Sequence, residues 1–223
     1  MKYYIVGILF TFCTNLTAQN KQSTIEQSDP KAKLILDHIK KQFDGYKSLE
    51  FAFAMTIEGE GKKEIQKGTL IQAADSYKLD LPNQMLSSDN KSTWYYLKKK
   101  KEVQINTANA KTKNEIMSPK ALLNQYRDGK YIFAITGEGL ENKKNAYFIE
   151  FKPKDRNSDI IKLRIAVDKK KEEIISIKTF SRDGTRVTIL INEMKTNKKY
   201  EADTFTFDAT KYPGVKVEDL RID

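Results

Sequence analysis

The nine residues Leu49-Glu50-Phe51-Ala52-Phe53-Ala54-Met55-Thr56-Ile57 put large apolar side chains at odd positions and small or polar ones at even positions. An extended chain points successive side chains to opposite faces, so the run predicts a β-strand with Leu49, Phe51, Phe53, Met55 and Ile57 on one side. A side that apolar needs a cover. It is either half of an ordinary core, which most alternating strands build, or a surface whose cover is partly a ligand. The run by itself leaves both readings open.

The period of two continues along most of the chain. Strands are predicted at residues 68–73, 77–81, 84–88, 93–97 and 102–106, separated by turn-like segments, which makes the first half a β-meander. Lys98-Lys99-Lys100-Lys101 falls at one of these turns and reads as a solvated connection. Further strands are predicted at 131–136, 146–152, 160–167, 173–180 and 185–193, with a closing strand at 215–220. Two helices interrupt the pattern. Asp29-Pro30 supplies a cap and a first-turn proline for a helix over 32–43 with Ile35, Ile39 and Phe43 at four-residue steps, closed by Gly45. Ser118-Pro119 opens a second helical signal carrying Ala121, Leu122, Leu123 and Tyr126. The expected fold is mainly β, a single antiparallel sheet of about eleven strands.

A chain of 223 residues with 39% hydrophobic and 31% charged residues has the composition of one globular domain. Its first eighteen residues stand apart: Lys2, then an apolar run from Tyr3 to Cys13, then small and polar residues to Ala18. That order is the order of a secretory signal, with cleavage expected near Ala18. The domain plan is therefore a signal at 1–18, a flexible mature N-terminus at 19–29 and one domain at 30–223. Cys13 is preceded by Phe12, not by the small residues a lipidation site requires, so export without self-lipidation is expected. Removing 1–18 takes away one lysine and no acid, lowering the formal net charge from +10 to +9. It also removes the only cysteine, and with it disulfides, thiol catalysis and thiolate metal sites. The basic charge is spread along the chain without an aromatic nucleic-acid motif. Export further disfavours nucleic acid and favours anionic membrane surfaces or acidic proteins.

Reagents for catalysis are scarce. His38 is the only histidine, and no HExxH, GxSxG, Walker or GxGxxG pattern occurs. The acidic pairs Glu218 with Asp219 and Asp155 with Asp159 fall on predicted turns and ends, where surface charge explains them. No cofactor or metal is implied. Apolar strand residues are abundant instead, and a sheet curved far enough, with two helices plugging its opening without filling it, would enclose a cavity suited to an acyl chain. Sequestering sixteen methylenes is worth on the order of 12 kcal/mol, at about 0.8 per CH₂, so reversible binding needs an offsetting cost.

Several segments resemble the LolA family of periplasmic lipoprotein carriers. Phe205-Thr206-Phe207 followed by Gly214-Val215-Lys216-Val217-Glu218-Asp219-Leu220-Arg221 is similar to the family's FTF…GVxVxDxR ending, and Ser88 to Tyr96 is similar to its SDGKxxWxY hairpin. Lys47 to Phe53, Ser118 to Leu123 and Phe151 to Asp155 add support in the same order, and the likeness runs from about Ala32 to Arg221. The lysine-rich style and the Ala-Gln signal junction resemble Bacteroidota members. Two positions depart from the pattern: Asn90 stands where a turn glycine is usual, and Ala74-Asp75-Ser76 stands where proteobacterial members have an arginine and a proline. The resemblance implies an incomplete, half-open barrel with helices covering its concave face and no catalytic residues. On a carrier reading, Phe51, Phe53, Met55, Tyr77, Leu79, Trp94, Tyr96, Leu122 and Leu123 are expected to line the acyl-chain cavity or its lid. The resemblance further implies a monomeric periplasmic carrier that takes lipoprotein acyl chains from an inner-membrane ABC transporter to an unknown outer-membrane acceptor. The rival readings are an envelope-stress sensor on the same fold and an enzyme acting on lipid or glycan through scattered carboxylates.

Overall fold

Asp29 and Pro30 start the helix where the local chemistry calls for it. In the computed structural model, which describes residues 27–108, 119, 122, 123 and 128–221, α1 spans Pro30–Gly45. Asp29 is extended and its carboxylate accepts the Lys31 N–H at 2.8 Å, satisfying one of the helix's unpaired donors. Ala32, Ile35, Leu36, Ile39 and Phe43 form one buried stripe at helical spacing. The segment expected to be a signal and the residues up to 26 lie outside the described residues, as does most of the second helical signal. Of that signal, Pro119, Leu122 and Leu123 are described, and all three are helical and buried.

The first meander comprises β1 (Ser48–Gly59), β2 (Lys62–Ala73), β3 (Ser76–Asp80), β4 (Gln84–Ser88), β5 (Ser92–Leu97) and β6 (Glu102–Thr107). The second comprises β7 (Tyr131–Glu141), β8 (Lys144–Pro153), β9 (Ile160–Asp168), β10 (Ile174–Ser181) and β11 (Arg186–Thr196), and β12 (Lys216–Asp219) closes the chain. One sheet contains all twelve in the order β12-β6-β5-β4-β3-β2-β1-β11-β10-β9-β8-β7. Its two edges, β12 and β7, do not pair with each other, so the sheet is an unclosed barrel. Pairing is antiparallel save at one edge, where β12 adds parallel to β6.

The alternating run of β1 occupies the middle of the sheet, paired with β2 on one side and β11 on the other. β2 begins at Lys62 and β7 continues to Glu141, each longer than its alternation predicts. Both are extended by a hairpin partner, because the β1–β2 register continues to Gly59 opposite Lys62 and the β7–β8 register to Glu141 opposite Lys144. At the β4–β5 turn Asn90 adopts φ 72°, a conformation asparagine tolerates better than most residues. The four lysines at 98–101 form the β5–β6 turn, where the Lys98 ammonium is held by the Asp80 carboxylate and by the Leu81 carbonyl at 2.7 Å.

Strand register assigns the two faces. Met55, Ile189, Ile177, Ile165, Ile149 and Ile135 stand side by side across β1, β11, β10, β9, β8 and β7. This row lies on the face that α1 covers, in one apolar cluster with the helix stripe. We call this the inner face. Two satellite clusters lie on the outer face. Ala146, Ala166 and Ile175 form one, and Met85, Tyr96 and Val103 form the other, covered by Phe207, Tyr212 and Val215 of the C-terminal segment.

Candidate functional site

An apolar cavity of about 90 Å³ lies against the inner face at the centre of the sheet. Phe51 of β1, Leu70 of β2 and Leu79 of β3 are direct register neighbours and form one wall. Phe53 and Met55 continue it along β1, opposite Ile191 and Ile189 of β11, and Leu81 and Pro119 complete the lining. Every one of these side chains is apolar. The wall therefore offers no general acid or base and no nucleophile; what it can do is remove hydrocarbon from water.

Gly68 makes room for this wall. It lies opposite Phe53 in the β1–β2 register, and a Cβ there would sit 2.7 Å from Phe53 Cζ and from Leu81 Cδ2, and 2.9 Å from the Asp80 carbonyl. Gly68→Ala is expected to destabilise the fold by about 1–3 kcal/mol. It is also expected to push Phe53 and Leu81 toward the cavity. Urea denaturation beside a ligand titration checks both effects.

The structure separates the nine residues expected at the site into three groups. Phe51, Phe53, Met55 and Leu79 line the cavity. Tyr77, Leu122 and Leu123 belong to the same apolar cluster without lining it. Burial raises the Tyr77 pKa, opposed by hydrogen bonds with Thr93 and Ser88. Trp94 and Tyr96 lie on the opposite face, which corrects their assignment to the cavity. Leu79 pairs with Leu86 and Leu86 with Tyr95, so odd residues of β5 face inward and Trp94 and Tyr96 face outward. Tyr96 packs instead on Phe207 and Tyr212, with ring centroids 5.0 and 4.9 Å away.

Leu70, Leu81, Ile189, Ile191 and Pro119 were not among the expected site residues. Leu70, Ile189 and Ile191 carry the same period-two signal as their neighbours, but only the pairing register shows that they meet β1. The only histidine, His38, pairs with Glu172 on the β9–β10 turn and fastens α1 to that side of the sheet. Both residues are partly exposed and outside the cavity lining. The Asp219 carboxyl is held down to about 2 by its hydrogen bonds from Arg221. Burial and the Glu50 carboxylate push Tyr200 up to about 12. Neither group lines the cavity. Among the described residues no cluster of three His, Cys, Asp or Glu side chains could hold a metal ion, and no helix is long and apolar enough to cross a membrane.

An unclosed sheet whose inner face is covered in part by α1 and in part lines an apolar cavity is consistent with the binding of hydrophobic matter. The family model described as outer membrane lipoprotein carrier protein LolA matches residues 47–208, well over half of the chain. The chain belongs to this LolA family. No curated protein matches it at significant similarity. Among solved structures, an uncharacterized conserved protein from Thermus thermophilus is similar with a TM-score of 0.53 at 10% identity, over 86% of this chain and 99% of that one. The lipoprotein LppX of Mycobacterium tuberculosis is similar with a TM-score of 0.50 at 9% identity, over 79% and 100% of the two chains. At such identities the likeness concerns the fold alone.

Proposed function

We propose that this protein is a periplasmic carrier that takes lipoprotein acyl chains into the cavity and moves them from the inner to the outer membrane. The observation that carries the reading is the wholly apolar cavity at the centre of an open sheet, lined by Phe51, Phe53, Met55 and Leu79. The cargo is received from an inner-membrane ABC transporter and passed on by contact, so direction comes from relative affinities and from energy spent at the transporter. The carrier holds its acyl chains without cofactor and performs no chemistry on them.

The cavity's volume of about 90 Å³ bears on mechanism, because sites for drug-sized ligands occupy about 300–1,000 Å³. A sixteen-carbon chain does not fit such a space, so loading parts the cover over the inner face. Parting the cover exposes inner-face residues, and that cost offsets part of the gross gain of about 0.8 kcal/mol per buried CH₂. Binding thereby stays reversible. Native mass spectrometry of the protein purified from periplasm is expected to show bound lipoprotein, and the purified protein is expected to release lipoprotein from spheroplasts. A carrier that is always empty and inactive in release would refute the reading.

A further inference from the structure

Two hairpins meet beside each other at the end of the sheet where β1 begins. The β7–β8 turn carries Lys143 and leads into Lys144, and the β9–β10 turn carries Lys169, Lys170 and Lys171. They are joined by a hydrogen bond of 2.9 Å from the Lys169 N–H to the Asn145 carbonyl. An open cup of about 670 Å³ lies between them, lined by Lys144, Asn145, Asp168, Lys169, Lys170 and Lys171.

The one carboxylate in this cup is already engaged. Asp168 is only 6% exposed, and its Oδ1 accepts the N–H groups of Lys170 at 2.8 Å and Lys171 at 3.1 Å. Its charge holds the turn in shape and also feels the Lys144 and Lys171 ammonium groups, whose side chains remain exposed. Lys169 is paired with Glu138 and lies 4.7 Å from the Tyr147 ring centroid. Lys143, Lys144, Lys170 and Lys171 are exposed and form no ion pair among the described residues. Beside them Leu140, the register partner of Asn145, is 71% exposed. Exposed cations around an exposed leucine match a surface of negative headgroups over hydrocarbon.

We propose that this tip docks on the anionic face of a membrane, with lipid phosphates received by Lys144, Lys170 and Lys171 and Leu140 entering the headgroup boundary. The proposal goes beyond the carrier reading, since docking uses neither the cavity nor its cargo. Each lysine near an anionic leaflet contributes about a fivefold factor in partition, so three act together as a large one.

The test is cosedimentation of the mature chain with vesicles of phosphatidylcholine alone, and of phosphatidylcholine and phosphatidylglycerol mixed two parts to one. The protein is expected to pellet with the mixed vesicles only. Reversing the tip charges together (Lys144→Glu, Lys170→Glu, Lys171→Glu) is expected to lower partition at least about twentyfold. Reversing three exposed lysines at turns of the opposite end (Lys62→Glu, Lys99→Glu, Lys100→Glu) gives the same net charge and is expected to cost under about threefold. Leu140→Ser is expected to weaken binding severalfold. The neutral set Lys144→Gln, Lys170→Gln and Lys171→Gln serves should the reversed tip fail to fold. Equal losses at both ends, equal binding to both vesicles, or no binding would overturn the proposal. So would displacement by inorganic phosphate but not by chloride of equal ionic strength, which would assign the cup to free phosphate. Uptake of a fluorescent fatty acid by the tip variants, measured alongside, separates failure of docking from failure of the carrier reading.

Discussion

Replacing Met55 in the cavity wall by aspartate (Met55→Asp) is expected to weaken acyl-chain binding by at least about 100-fold, because an unpaired charge loses its water when ligand enters. The neighbouring lining residues Phe51, Phe53, Leu79, Ile189 and Ile191 offer it no hydrogen-bond partner from a side chain. Met55 is only partly buried, so much of the penalty appears on loading and less of it on folding. The sign of the pH effect follows. Dehydration raises the carboxyl pKa in the loaded state, the protonated form binds better, and affinity recovers as pH falls through that raised value. Met55→Leu keeps volume and polarity and is expected to change little. Tyr96→Ala supplies the contrast: buried on the outer face, it is expected to cost about 3–5 kcal/mol of stability while leaving ligand affinity unchanged. Titration with a fluorescent fatty acid at several pH values, alongside thermal melts, checks these outcomes.

Ile165→Ala is expected to destabilise the protein by about 2–5 kcal/mol, the usual range for truncating a fully buried isoleucine. Ile165 is 0% exposed and stands in the inner-face row between Ile177 and Ile149, both also 0% exposed. Its neighbours are held by strand pairing on both sides, so they cannot collapse into the space left behind. Against a total stability of about 5–15 kcal/mol this is a large fraction, and the midpoint of urea denaturation should fall accordingly. Leu34→Ala, at the exposed side of α1, is the matched control. Leu34 is 71% exposed, and a change within about 0.5 kcal/mol is expected. A small effect of Ile165→Ala would mean that the inner face is loosely packed along its length, not only at the cavity.

Much of the architecture is legible in the sequence. Asp29-Pro30 start the helix as their chemistry dictates, Gly45 is its last residue with the extended Tyr46 as cap, and the turns at Asn90 and at the four lysines fall where expected. These are local features, decided by a few neighbouring residues. Strand ends were less legible. The first part of β2, Lys62 to Lys67, is mostly polar and carries little alternation, yet it is a strand because β1 supplies its hydrogen bonds. Four of the nine residues that line the cavity were legible. Phe51, Phe53, Met55 and Leu79 stand out by alternation, whereas the contributions of Ile189 and Ile191 depend on β11 crossing the length of the chain to lie beside β1.

Alternation by itself determined that β1 has one apolar and one thin face, because the period of a strand is a property of the backbone. For β5 it determined less, since Trp94 and Tyr96 on one face stand against Tyr95 and Leu97 on the other. Which face of each strand turns inward was decided only by tertiary structure. Trp94 and Tyr96 are the bulkiest pair on β5, yet they face outward, because Phe207 and Tyr212 return from far along the chain to cover them. A period of two has no sign until a partner strand sets the register. For β1 the register placed Phe51, Phe53 and Met55 on the inner face, and a glycine opposite Phe53 accommodated its ring. Contact with α1 fills one part of that face, and the cavity lies along another.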